Sequence, residues 1–158
     1  MSDKPVMVEL KVEGLALDQD NSTVVLLREA EGERAIPIWI EPSQAYSMSR
    51  ELEGKKPARP LTHDLMRDAL EQLGARIVRV VISDAHDNTY FARITLQPAT
   101  GPEKELDSRP SDAIAMALRM NAPILISETL LARVVQERIE HEREEKKRII
   151  MDTGGTVH

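Results

Sequence analysis

Apolar and polar residues alternate at the start of the chain. Val6, Val8, Leu10 and Val12 share one face, and Met7, Glu9, Lys11 and Glu13 the other, which is the period-two pattern of a strand half buried on a core. Gly14 and the polar run Asp18–Ser22 predict a loop, and Thr23–Arg28, rich in Val and Leu, a second strand. The pair Glu31-Gly32 is a turn signal before a third strand, Ala35–Ile40, which closes a hairpin with the second. Pro37 cannot donate to a ladder, so it marks that strand as an edge or a bulge. Residues 42–53 read as a helix with Pro42 in the first turn and an inner stripe of Ala45, Met48, Ser49 and Leu52. A second helix follows Thr62, its predicted N-cap. Leu65, Met66, Ala69, Leu70 and Leu73 recur there at helical spacing, Leu61 is placed to staple onto Met66, and Gly74 ends the run.

Arg76–Ser83 and Thr89–Gln97 are two strands with an expected antiparallel pairing. Val and Ile on both faces between Ile77 and Ile82 place the first of them inside a sheet. Short strands are predicted at Lys104–Asp107 and Ile124–Ile126. A last helix, capped by Ser127, runs from Thr129 to about Arg148 and is apolar only in its first half; Asp152–His158 is expected to be disordered. The chain is organised around Glu105–Asn121, where a turn crowded with polar groups opens a helix, Pro110–Met120, that has little polar face. Either Ser108 or Ser111 can cap it, and Asn121 with Pro123 stops it. A helix apolar all round demands burial from several sides. The expected fold is therefore α+β, with a mostly antiparallel, strongly curved mixed sheet packed around that helix and additional helices outside it. Residues 1–131 form the expected domain, and 132–158 a charged helix and tail.

Composition narrows the chemistry. The 158 residues suit one domain with a real core. There is no cysteine, which removes disulfides, thiolate metal sites and cysteine nucleophiles. MSDKPVMVEL lacks a basic segment followed by an apolar run and no apolar run approaches membrane-spanning length, so no signal peptide is expected and the cytoplasm is the expected location. Twenty-one Lys and Arg against twenty-seven Asp and Glu give a net charge of −6, the wrong sign for binding nucleic acid by bulk electrostatics. Aromatics make up 3 % of the chain (Trp39, Tyr46, Tyr90 and Phe91), too few for a base-stacking platform. Any nucleic-acid contact has to be local or routed through metal ions.

Three segments carry a resemblance. RPSDAIAMALR at 109–119, with Asp107 just upstream, together with IPIWI at 36–40 and RPLTHDL at 59–65, resembles the bifunctional nuclease (BFN) domain family in motif, order and spacing, over roughly residues 6–131. The resemblance implies a nuclease acting on DNA and RNA. Where that family usually has a glycine and a glutamate, this chain has Glu41 and Gln44. An amide cannot act as a base and is a poor ligand for a divalent cation.

Metal-assisted phosphodiester hydrolysis needs carboxylates for divalent ions, an activated water and a cation near the leaving oxygen. Asp64, Asp107 and Asp112 are the candidate ligands for a divalent metal, Mg²⁺ or Mn²⁺. His63 is the candidate proton carrier, with Asp112 and Arg109 completing the catalytic set. Lys55, Lys56 and Arg59 form a basic loop able to meet a nucleic-acid backbone. Each residue also has an ordinary reading: acids collect in helix first turns for dipole reasons, and three cations in a loop are commonly just solvated. Phosphate-binding loops, nucleophile elbows and zincin signatures are absent. The alternative function is a non-catalytic oligomeric domain binding a small ligand or a protein, with the polar cluster as a latch. A homodimer or higher homo-oligomer is expected, through Pro37, Trp39 and Met7 as exposed apolar surface.

Overall fold

The computed structural model describes residues 4–154. β1 (Met7–Leu17), β2 (Thr23–Glu29) and β3 (Ala35–Ile40) form an antiparallel meander. β1 runs further than alternation suggests. A register shift between Val12 and Gly14 lets the strand continue to Leu17, so Gly14 sits at a bulge and not in a loop. β3 lies at one end of the sheet, where the missing N–H of Pro37 costs no ladder bond to a further strand.

Helices α1 (Pro42–Leu52) and α2 (Thr62–Gln72) follow, then β4 (Arg76–His86), β5 (Thr89–Gln97), β6 (Lys104–Ser108), α3 (Pro110–Met120), β7 (Ile124–Ser127) and α4 (Glu128–Gly154). All seven strands join one mixed sheet in the order β3-β2-β1-β7-β4-β5-β6. The four-residue β7 is its centre, antiparallel to β1 and parallel to β4. It is the one parallel pairing of the sheet, and Ile124 and Ile126 put both of its core-facing side chains out of water.

The helix α3 is buried as its composition demands, with Ala113, Ile114, Met116 and Ala117 all in the core. Strong curling of the sheet is not the means. The sheet covers α3 through β3, β4 and β5, and α1 and α2 pack on it as well, so the helices share the enclosure. Neither Ser108 nor Ser111 caps α3. Arg109 stands at the N-cap without a side-chain capping bond to the backbone, and Asn121 ends the helix in the left-handed conformation at φ 52°.

The second helix departs from its hydrophobic pattern. Leu65 and Leu73 are 63 % and 74 % exposed, and Met66 and Ala69 also face water, while Asp64 is the buried residue of α2. Two bonds explain this. Asp64 Oδ2 accepts from the backbone N–H of Leu61, the actual N-cap, and Asp64 Oδ1 accepts from the buried Arg119 guanidinium. An inward ion pair thus sets the helix's rotation against its apolar stripe. Ser127 does cap α4, accepting from the N–H of Leu130 at 3.1 Å. That helix is longer than expected and continues to Gly154, so Asp152, Thr153 and Gly154 lie within it; residues 155–158 of the expected tail fall outside the described part. Leu130, Leu131 and Val134 anchor it in the core, and Arg34 ties its start to the β2–β3 hairpin by bonding Glu29 and Glu128 at 2.7 Å each. No helix among the described residues is long and apolar enough to cross a membrane.

Candidate active site

The starts of α2 and α3 meet. Asp112, in the first turn of α3, accepts from Arg109 Nε at 2.8 Å through Oδ2 and bonds His63 Nε2 at 2.9 Å through Oδ1. Burial alone would raise the Asp112 carboxyl, but the bonds from Arg109 and His63 outweigh it and hold the group below its ordinary value of 3.8. Asp112 is thus a carboxylate at neutral pH and has no proton to give. The bond to His63 is therefore an Nε2–H donation, which leaves Nδ1 as the ring nitrogen not engaged by Asp112. Hydrogen bonding to the same carboxylate raises the Arg109 guanidinium above its ordinary value. His63, Asp112 and Arg109, the expected catalytic set, come together in one hydrogen-bonded chain.

The expected metal ligands do not converge. Asp64 turns inward to Arg119, with burial opposed and outweighed by the Leu61 N–H and the Arg119 guanidinium, so that its carboxyl also lies below its ordinary value. Asp107 is exposed on β6, in register with Arg93 of β5. Only Asp112 remains at the cluster, and both of its oxygens are engaged. Among the described residues no three His, Asp or Glu side chains are grouped to hold a metal ion, so the donor set does not fit a preformed divalent site. The basic loop stands apart. Lys55 pairs with Glu53 at 2.8 Å, Lys56 and Arg59 are exposed, and none of the three lines the cleft described next.

Arg109 also faces an open cleft of about 440 Å³, walled by Ser22, Trp39, Glu41, Gln44, Asn88 and Tyr90, among others. Gln44 belongs to its frame. It accepts from the Glu41 backbone N–H at 3.1 Å and donates through Nε2 to Ser111 Oγ at 2.9 Å, which links the first turn of α1 to that of α3. Seen as a missing acid in the sequence, Gln44 is a structural tie in the fold. Arg119 is the participant that sequence reading missed. Its side chain, 1 % exposed, bonds Asp64 Oδ1 at 2.9 Å, Ser47 Oγ at 2.7 Å and the Ala115 carbonyl at 3.1 Å, pinning α1, α2 and α3 together. The available signal was a guanidinium at the end of an otherwise apolar helix, which requires a buried acid elsewhere.

Comparison with known proteins bears on what this geometry serves. Residues 25–138 match the bifunctional nuclease domain. An uncharacterised protein of Mycobacterium tuberculosis is 41 % identical over 127 residues, 80 % of this chain and 75 % of that protein. Bifunctional nuclease 1 of Oryza sativa subsp. japonica is 26 % identical over 106 residues, 66 % of this chain and 32 % of the plant protein. Bifunctional nuclease 2 of Arabidopsis thaliana is 26 % identical over 113 residues, 70 % of this chain and 34 % of its own length. The chain spans about a third of the plant proteins it matches.

Proposed function

The chain belongs to the bifunctional nuclease domain family, and from that membership we propose that it hydrolyses phosphodiester bonds of nucleic acid at the Arg109–Asp112–His63 chain. The observation that carries this reading is the carboxylate of Asp112 holding both the His63 imidazole and the Arg109 guanidinium, the latter lining a cleft. Arg109 is the group that meets the scissile phosphate, since its fork matches two phosphate oxygens and stays exposed on the cleft side. Its charge opposes the negative charge that builds on those oxygens as the nucleophile adds. The N-terminal end of α3 adds a favourable dipole at the same place. His63 is the proton carrier. Asp112 fixes its ring through Nε2–H and stabilises the imidazolium that forms when Nδ1 takes a proton from the attacking hydroxyl or water; as the new P–O bond forms, the P–O bond to the leaving sugar oxygen breaks and that oxygen takes the proton back from the imidazolium.

A metal-dependent form of this reaction would need Asp64 or Asp107 to swing toward Asp112. Asp64 would leave Arg119 buried without a counter-charge in doing so. The test is cleavage of a labelled RNA and a labelled single-stranded DNA by the purified full chain, with and without EDTA, beside His63→Gln and Arg109→Gln. Cleavage that survives EDTA and falls in both variants supports the mechanism. Wild-type protein that is folded and inert on all substrates removes it.

A second reading is favoured by one observation: the polar groups of the cluster already satisfy one another, from Gln44–Ser111 to Arg109–Asp112–His63. On that view the cluster is a latch in a non-catalytic homo-oligomeric domain that binds a ligand or a protein. Light scattering and the cleavage assay on one sample separate the two readings.

A further inference from the structure

The cleft has a wall that the proposed chemistry leaves unused. Trp39 is the chain's one tryptophan, and it lines the cleft from the end strand β3 while 44 % exposed. Its orientation is fixed. The indole Nε1–H donates to Asp18 Oδ2 at 2.8 Å, and Asp18 Oδ1 accepts from the backbone N–H groups of Asp20 and Ser22 at 2.9 and 2.8 Å. A solvent-facing ring already held in one place loses little freedom when a second flat ring lies on it. Arg109 lines the same cleft. Its Nε is given to Asp112, while Nη1 has only a 3.9 Å contact with Glu41. Ser22, Asn88 and Thr89 line the same cleft and offer hydrogen-bonding groups.

We propose that this cleft is a subsite for one unpaired nucleotide, with the base stacked on Trp39 and the phosphate taken by the Arg109 fork. The proposal rests on the nuclease reading and names how that site selects its substrate. A flat apolar face, polar side chains and one cation in one cleft match the chemistry of base, sugar and phosphate. The volume lies in the range of small-ligand pockets. Glu41 and Asp112 flank Arg109, so the site tolerates one anionic group and repels a dense run of them. The net charge of −6 likewise leaves no bulk attraction to a duplex. A base inside a duplex is stacked on both faces and cannot lie on the indole, whereas an unpaired base can.

The single tryptophan is its own probe. The full-length protein is titrated with an unpaired trinucleotide and with a hairpin duplex of equal phosphate number, following Trp39 fluorescence. Saturable quenching by the trinucleotide, with the hairpin at least tenfold weaker, is expected. Arg109→Gln, which keeps the fluorophore, is expected to weaken binding at least tenfold. Trp39→Leu, with a native circular dichroism spectrum and binding read by anisotropy of a labelled trinucleotide, is expected to weaken it roughly 5- to 140-fold, the span of base–aromatic stacking. Trp39→Phe should recover part of the loss. Absence of quenching, equal affinity for the hairpin, competition by inorganic phosphate as strong as by the trinucleotide, or unchanged binding by folded Trp39→Leu would each overturn the subsite. Cleavage measured on the same samples keeps the two ideas apart. Quenching without cleavage retains the subsite and removes the nuclease reading, and cleavage with an unresponsive Trp39 does the reverse.

Discussion

Removing Asp64 should destabilise the protein more than any substitution at the surface of the cluster, and removing its partner as well should restore most of the loss. The Arg119 side chain is 1 % exposed and the Asp64 side chain 9 %. Asp64→Ala leaves a buried guanidinium with only the neutral Ser47 hydroxyl and the Ala115 carbonyl as partners, and it strips the Leu61 N–H of its acceptor. Breaking a buried pair from one side costs about 3–5 kcal/mol. For a domain of this length that corresponds to a melting-temperature drop of roughly 6–20 °C. Arg119→Met should cost a similar amount, because the carboxylate is then the unpaired charge. Asp64→Leu combined with Arg119→Met removes both charges and keeps volume, and should lie within about 2 kcal/mol of the wild type. Urea denaturation followed by circular dichroism of the wild type, Asp64→Leu, Arg119→Met and the double variant supplies the corners of the cycle, with unchanged m-values as the check that the denatured state is comparable. Single losses below about 1 kcal/mol, or a double variant as unstable as the sum of the singles, would refute the idea that this pair sets the rotation of α2.

Other outcomes follow from the same geometry. Asp112→Asn should abolish cleavage while costing about 1–3 kcal/mol of stability through the weakened bonds to Arg109 and His63; unchanged cleavage by the folded variant takes Asp112 out of the mechanism. Asp64 and Asp112 both titrate below their ordinary value of 3.8. Their contribution to stability is therefore complete above that value and is lost as pH falls through the lower folded values, so melting temperature should hold from pH 7 to about 5 and decline below about 4. Asp64→Asn should show a shallower acid limb, and an identical limb in both proteins contradicts the assignment. Ser127→Ala removes the cap bond to the Leu130 N–H and should lower stability by about 1 kcal/mol in a chemical melt.

The chain by itself determined its elements and one of its two key helices. Period-two alternation, the Val and Ile runs and the turn residues placed the strands within a few positions, because a strand's side-chain period is a local property. Pro110–Met120 was legible for the same reason: a helix apolar on all sides has nowhere to go but inward. Pro37 reported an edge because a missing N–H is tolerable only where no further strand pairs. His63, Asp112 and Arg109 were legible as residue types at helix starts, but not as neighbours. Their meeting depends on how α2 sits against α3, and that is decided by Asp64 and Arg119, 55 positions apart. A buried charge pair outweighed the hydrophobic stripe of α2, so Leu65 and Leu73 ended in water, an outcome no periodicity predicts. The central place of β7 was equally invisible. Its four residues acquire their meaning only from β1, near the start of the chain, and β4, in its middle, since backbone pairing carries no sequence code at that range.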